Sequence, residues 1–179
     1  MKIYTRKGDD GTTGLLFGGR VRKDDPAPEA YGAVDEAQAA LGVARAETGE
    51  GSELDRPLVR LERDLWVAMA ELATAPENRG KLDPGVSSVT VQMVEGLEPV
   101  IDDLTSRFEA PTEFVVPGQN RLSALLDVAR TSVRNAERRA LVVNAEGSYV
   151  VPYLNRLSDL LWTMARWQEG QFMPAREKE

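Results

Sequence analysis

"LSALLDVARTSVRNAERRALVV", residues 122–143, decides the fold. Leu122, Leu126, Ala129, Val133, Ala136, Ala140 and Val143 recur at spacings of three and four, close to a heptad. At that interval side chains stack along one face of an α-helix. Asp127, Arg130, Arg134 and Glu137 fall at i, i+3, i+7 and i+10 and share a second face beside the apolar one. Arg138 and Arg139 add charge near the end. A solvated face laced with weak ion pairs explains such a set. Arginines beside a core also suit a forked grip on a polyphosphate, with carboxylates holding them in position.

The same period extends outward in both directions. Tyr31, Val34, Ala37, Leu41 and Ala44 form one stripe, and Leu54, Leu58, Leu61, Leu65, Met69 and Leu72 another. Val89, Met93, Leu97, Val100, Leu104 and Phe108 form a third, with a kink predicted at Pro99, which has no amide to donate. Leu154, Leu157, Leu161 and Met164 follow the opening stripe. Gly49 and Gly51, "NRGKLDPG", "APTEFVVPGQN" and "NAEGSYVVP" punctuate them as loops. The expectation is an all-α, five-helix up-and-down bundle. Residues 1–179 are expected to form a single domain: an N-terminal loop over 1–25, the bundle over 27–172 and a loose tail over 173–179.

Composition narrows the chemistry. The 179 residues contain no cysteine, which excludes disulfides, thiolate metal sites and cysteine nucleophiles. They contain no histidine either, so the usual general base near neutral pH is missing. The formal net charge of −7 argues against binding nucleic acid through phosphate neutralisation. No apolar run reaches membrane-spanning length and no signal region opens the chain, so a cytoplasmic location is expected.

The charge is uneven. Residues 1–23 carry six Lys/Arg, Lys2 among them, against Asp9 and Asp10. Within "TRKGDDGTTGLLFGGRVRKDD", residues 5–25, there are five glycines and neither a strand alternation nor a helical period. The stretch is not a P-loop, because "GLLFGGRV" ends in Arg-Val and prolines follow. It still assembles what a phosphate cradle needs: amides bared by glycine, the hydroxyls of Thr5, Thr12 and Thr13, and the charges of Arg6, Lys7 and Lys23. A solvated arm is the plainer alternative. On the last stripe Asn155, Asp159, Trp162 and Arg166 line one face. Asn155 also fits a helix-start cap, and Trp162 also fits core packing.

Taken together, "KIYTRKGDDGTTGL", "RVRKDD", "AYGAVDEAQAALG", "FVVPG", "ARTSVRNAERR" and "YLNRLSDLLWTMAR" resemble the PduO-type ATP:cob(I)alamin adenosyltransferases, in order, from residue 2 to about residue 167. The resemblance implies a homotrimeric five-helix bundle with ATP held between subunits, the N-terminal loop of one ordering against helices of its neighbour. It implies nucleotide contacts from Thr5, Arg6, Lys7, Gly8, Asp9, Thr13, Gly14, Lys23, Arg134, Asn135, Ala136, Glu137, Arg138 and Asn155. Arg130 matches an arginine that pairs across the interface with the aspartate matching Asp35. With Arg134 and Glu137, these two are the implied catalytic set. Phe114 and Trp162 match positions facing the corrinoid.

The implied reaction transfers the 5′-deoxyadenosyl group of ATP to the cobalt of reduced cobalamin and releases triphosphate. Co(I) is a strong nucleophile, so the absence of histidine is no obstacle, and the protein supplies orientation and electrostatics. Mg²⁺ is implied as a companion of the phosphates, with no protein ligand assigned. A corrinoid reductase and an adenosylcobalamin-dependent mutase are the implied partners; nucleic acid and membrane are not. Three departures stand near the site: "PGQN" where the family usually has "PGG", Asp127 for a histidine and Asn135 for an arginine, with Arg139 one turn on as the nearest substitute charge. They motivate an alternative, a catalytically weak paralogue that carries or senses ATP or adenosylcobalamin.

Overall fold

The computed structural model describes residues 3–49 and 51–176. Lys2 and the last three residues of the expected tail lie outside them. Helix α1 spans Pro26–Thr48, with Pro26 in the first turn, where a missing amide costs nothing. Its buried face is mostly alanine, with Val34 and Leu41 among Ala30, Ala33, Ala37 and Ala44. So slim a face lets α1 lie between α2 (Asp55–Leu72) and the helix of the opening stripe.

The third stripe does not form one kinked helix. It divides into α3 (Val91–Glu95), capped by the Thr90 hydroxyl on the Met93 amide, and α4 (Glu98–Thr105). Pro99 stands in the first turn of α4, and so the ladder restarts there instead of bending through it. Helix α5 spans Arg121–Ala140 and α6 spans Val150–Glu169. The described residues therefore hold six α-helices, not five, and a 3₁₀ turn over Pro76–Lys81 that runs into "NRGKLDPG". Side by side the bundle runs α2, α1, α5, α6, α4. Leu58, Leu65, Leu126, Val133, Tyr153, Leu154, Leu157 and Leu161 are fully buried between the helices. Each such leucine contributes about 1.5–3 kcal/mol.

Two small ribbons depart from an all-α expectation. Strands β1 (Thr12–Gly14) and β2 (Arg20–Arg22) pair antiparallel, with Thr12 opposite Arg22 and Gly14 opposite Arg20. The turn between them needs left-handed backbone at Phe17, Gly18 and Gly19 (φ 62°, 104° and 93°), which explains the paired glycines. The Leu16 amide donates to the Ala73 carbonyl at 2.9 Å and moors the hairpin to the end of α2. Strands β3 (Val115–Val116) and β4 (Met173–Pro174) form the second ribbon. Residues 173–175, expected to be loose, are thus tied down: the Ala175 amide also donates to the Phe114 carbonyl at 2.7 Å. No helix among the described residues is long and apolar enough to cross a membrane.

Candidate active site

Three groups of predicted residues occupy three places. The first is the hairpin. Arg20 cross-braces it, donating to the Lys7 carbonyl at 2.5 Å and to the Thr12 hydroxyl at 2.6 Å, while Asp10 accepts from the Thr12 amide and hydroxyl. Those two hydrogen bonds, led by the hydroxyl, hold the Asp10 carboxyl below the usual carboxylate range. Thr5, Arg6, Lys7 and Asp9 are exposed, and the Thr5 hydroxyl accepts from the Lys7 amide. Lys23 lies over Gly8: a β-carbon there would sit 3.2 Å from its Nζ. Thr13 and Gly14 lie in β1 itself. Arg6 takes a left-handed φ of 60°, a conformation that costs a non-glycine residue about 1–2 kcal/mol.

The second group is on α5 and α6. Arg134 and Arg138 are exposed and meet no carboxylate among the described residues. Glu137 does not pair with them; its Oε1 accepts from Asn155 Nδ2 at 3.0 Å. That contact joins the two helices and leaves the arginines unneutralised. Asn155 sits inside α6, so it is not a helix-start cap. The phase of α5 turns the methyl of Ala136, one of the implied nucleotide contacts, fully into the core. Asn135 is half-buried beside it. Arg139, the nearest substitute charge, is paired with Glu29 on α1. Asp35 is exposed on α1 and has no cation beside it among the described residues.

The third is a cleft of about 500 Å³ between the segment Pro111–Pro117 and helices α5 and α6. Phe114, 90 % exposed, stands on its wall and Trp162 faces it half-buried. Behind them lies a chain of charges: Asp127 Oδ1 accepts from Arg130 Nε at 2.8 Å, and Oδ2 accepts from Arg166 Nη2 at 2.5 Å. Arg166 Nε is also 2.9 Å from Glu169 Oε2, and its guanidinium carbon is 6.0 Å from the centre of the Trp162 ring. Arg166 is 2 % exposed and Asp127 6 %, so the pair is paid for by mutual neutralisation in a poorly solvated place. The face of α5 read as one set therefore divides, Asp127 and Arg130 serving the cleft and Arg134 and Arg138 open surface. Sequence reasoning placed Arg166 on the right face of α6 but missed its function, since its carboxylate partner is 39 residues away. In "PGQN", Asn120 caps α5 in a reciprocal bond with Ser123 and donates Nδ2 to the Gln168 carbonyl at 2.8 Å, while nothing in the structure explains Gln119 in place of the family's second glycine.

Among the described residues, no hydrogen bond or ion pair joins Thr5–Gly14 or Lys23 to Arg134–Arg138 or Asn155. Fold and site together define a helical bundle with a cationic hairpin, an unneutralised arginine face and an aromatic cleft. A family model described as cobalamin adenosyltransferase matches residues 3–168. A corrinoid adenosyltransferase of Citrobacter freundii is 41% identical over 174 residues, covering 94% of this chain and 95% of that one. One from Mycobacterium tuberculosis is 42% identical over 170 residues, covering 92% and 87%. Among solved structures, a variant PduO-type ATP:corrinoid adenosyltransferase from Lactobacillus reuteri, complexed with cobalamin and ATP, superposes with a TM-score of 0.88 at 29% identity, covering 98% of this chain and 100% of that one. The chain belongs to the cobalamin adenosyltransferase family.

Proposed function

We propose that this protein transfers the 5′-deoxyadenosyl group of ATP to the cobalt of cob(I)alamin, forming adenosylcobalamin and releasing triphosphate. The observation that carries the reading is one helix serving two sites: α5 lends Asp127 and Arg130 to an aromatic cleft and, two turns on, presents the unpaired Arg134 and Arg138. A corrinoid against Phe114 and Trp162 is thereby set beside a triphosphate on the arginines. The Co–C bond forms as the C5′–O bond breaks, and the electron pair leaves on the triphosphate. Lys7, Lys23, Arg134 and Arg138 stabilise that growing charge, and a Mg²⁺ ion accompanying the nucleotide would add to it. Holding cobalt and C5′ in line is worth on the order of 7 kcal/mol of the barrier.

The working unit in this proposal is a homotrimer of single-domain subunits. As the resemblance implies, the hairpin of one subunit closes on Arg134, Glu137, Arg138 and Asn155 of the next; among the described residues of one chain no hydrogen bond or ion pair already ties the two together. Asp35 then reaches the neighbour's Arg130, whose terminal nitrogens are not used by Asp127. Anaerobic incubation with ATP and chemically reduced cobalamin tests the reaction: the Co(I) absorption should give way to a light-sensitive alkylcobalamin with stoichiometric triphosphate. Persistence of Co(I), or its loss without that product, would reject the assignment. Arg134→Ala is expected to lower turnover by roughly 100-fold or more while the exposed helix face stays folded.

A further inference from the structure

We propose that Asp127 is a positioning residue for the corrinoid half of the site, fixing Arg130 and Arg166 as one unit beneath the Phe114–Trp162 cleft. The inference rests on the assignment of that cleft to the corrinoid. Each carboxylate oxygen of Asp127 serves a different arginine, at 2.8 Å and 2.5 Å. Arg166 is held again by Glu169 and lies beside the ring of Trp162, the half-buried aromatic of the cleft, so the place of Arg166 bears on that wall. Arg130 is bound to Asp127 through Nε, which fixes the direction in which its remaining donors face. A neutral imidazole, the side chain the family usually carries here, cannot accept from both guanidinium groups at once. The aspartate is therefore a specific solution in this chain, in which anchor and cleft floor are the same group of charges. Within one chain no bond of this set reaches Arg134, Arg138 or the hairpin; its one link to the nucleotide seam is the proposed Arg130–Asp35 pair, which uses the terminal nitrogens of Arg130 and not the Nε that Asp127 holds, so the larger effect should fall on the corrinoid.

The test separates two affinities. Asp127→Asn keeps the shape and one acceptor but removes the charge. The expected result is a cob(II)alamin dissociation constant, read by absorbance titration of ATP-loaded protein, raised about tenfold, the scale of a lost charge-assisted hydrogen bond. ATP affinity, read by calorimetry without corrinoid, should stay within about twofold, since that patch is independent. Arg166→Lys should weaken cob(II)alamin binding similarly, and the double variant should be no weaker than the worse single one, because both break the same unit. Should Asp127→Asn give too little folded protein, Asp127→His is measured in its place with the same split expected. Unchanged cob(II)alamin affinity, an equal loss of ATP affinity, or additive single effects would each overturn the proposal. Wild-type protein that binds ATP but no cob(II)alamin would instead reject the cleft's assignment, a different failure.

Discussion

At the level of single residues, what the sequence could reveal was type and spacing; what it hid was partnership. Gly8 is the instructive case. Composition marked it as part of a phosphate cradle, and the structure gives the reason in contact form: an added β-carbon would sit 3.2 Å from both Lys23 Nζ and the Thr12 carbonyl. The carbonyl is β1 backbone, and displacing the ammonium does not relieve it, so in Gly8→Ala both the Lys23 ammonium and the loop around Gly8 must shift. ATP affinity measured by calorimetry should fall by about tenfold, while the thermal midpoint, set by the buried bundle, stays in place. Asp64 makes the opposite kind of prediction. Its side chain is 16 % exposed, accepts from Tyr153 Oη at 3.0 Å and stands 3.8 Å from Arg60. Desolvation raises its pKa above the ordinary 3.8 despite both partners. The folded state then holds the proton more tightly than the unfolded chain. The stability this contributes is full below pH 3.8 and is lost as pH rises through the folded value. Asp64→Asn keeps an acceptor for Tyr153 and removes the charge. Urea unfolding between pH 4 and 7 should therefore show a flatter pH dependence than wild type, with stability at pH 7 equal or higher. No spacing rule could have paired Asp64 with Tyr153, 89 residues away.

Elements were legible where a long apolar period ran unbroken. Helices α1, α2, α5 and α6 sit where their stripes put them, because each has enough buried residues to outweigh local preference. The misreadings fall on short pieces, where tertiary context decides. Two- and three-residue strands carry no alternation to detect, so the hairpin and the β3–β4 ribbon were read as loop and tail. Pro99 was correctly seen as a disturbance, yet its position in the first turn of α4 makes it a start and not a bend. Asn120 lies at the junction of these errors: it begins α5, ends "PGQN" and clasps the end of α6 through Gln168. Asn120→Ala removes the cap and the clasp together. The expected loss is about 1–2 kcal/mol, visible as a lower urea midpoint with an unchanged m-value, because the native and unfolded surfaces stay the same.

At the scale of the whole molecule, the lack of contact between hairpin and arginine face acquires its meaning. Both halves of the proposed anion site are cationic and can meet only through the anion, which they reach either by the hairpin moving on binding or by a copy of the chain lending its half. The hairpin is moored to α2 through Leu16 and cross-braced by Arg20, which favours borrowing. A ring built from one repeated heterologous interface closes at three subunits in the proposed assembly. Sedimentation should then give about three times the 19.7 kDa chain mass. The sharper measurement is complementation. Lys23→Ala spoils the hairpin half and Arg134→Ala the helix half, so each variant alone should be nearly inactive. After unfolding the two together and refolding them as a mixture, each interface draws its halves at random. About one interface in four then pairs an intact hairpin with an intact α5, so roughly a quarter of wild-type turnover should return. If both halves came from one chain, every site would carry one defect and mixing would restore nothing. Recovery that depends on co-refolding, and fails when preassembled variants are only combined, would place the reacting groups on opposite sides of a subunit seam.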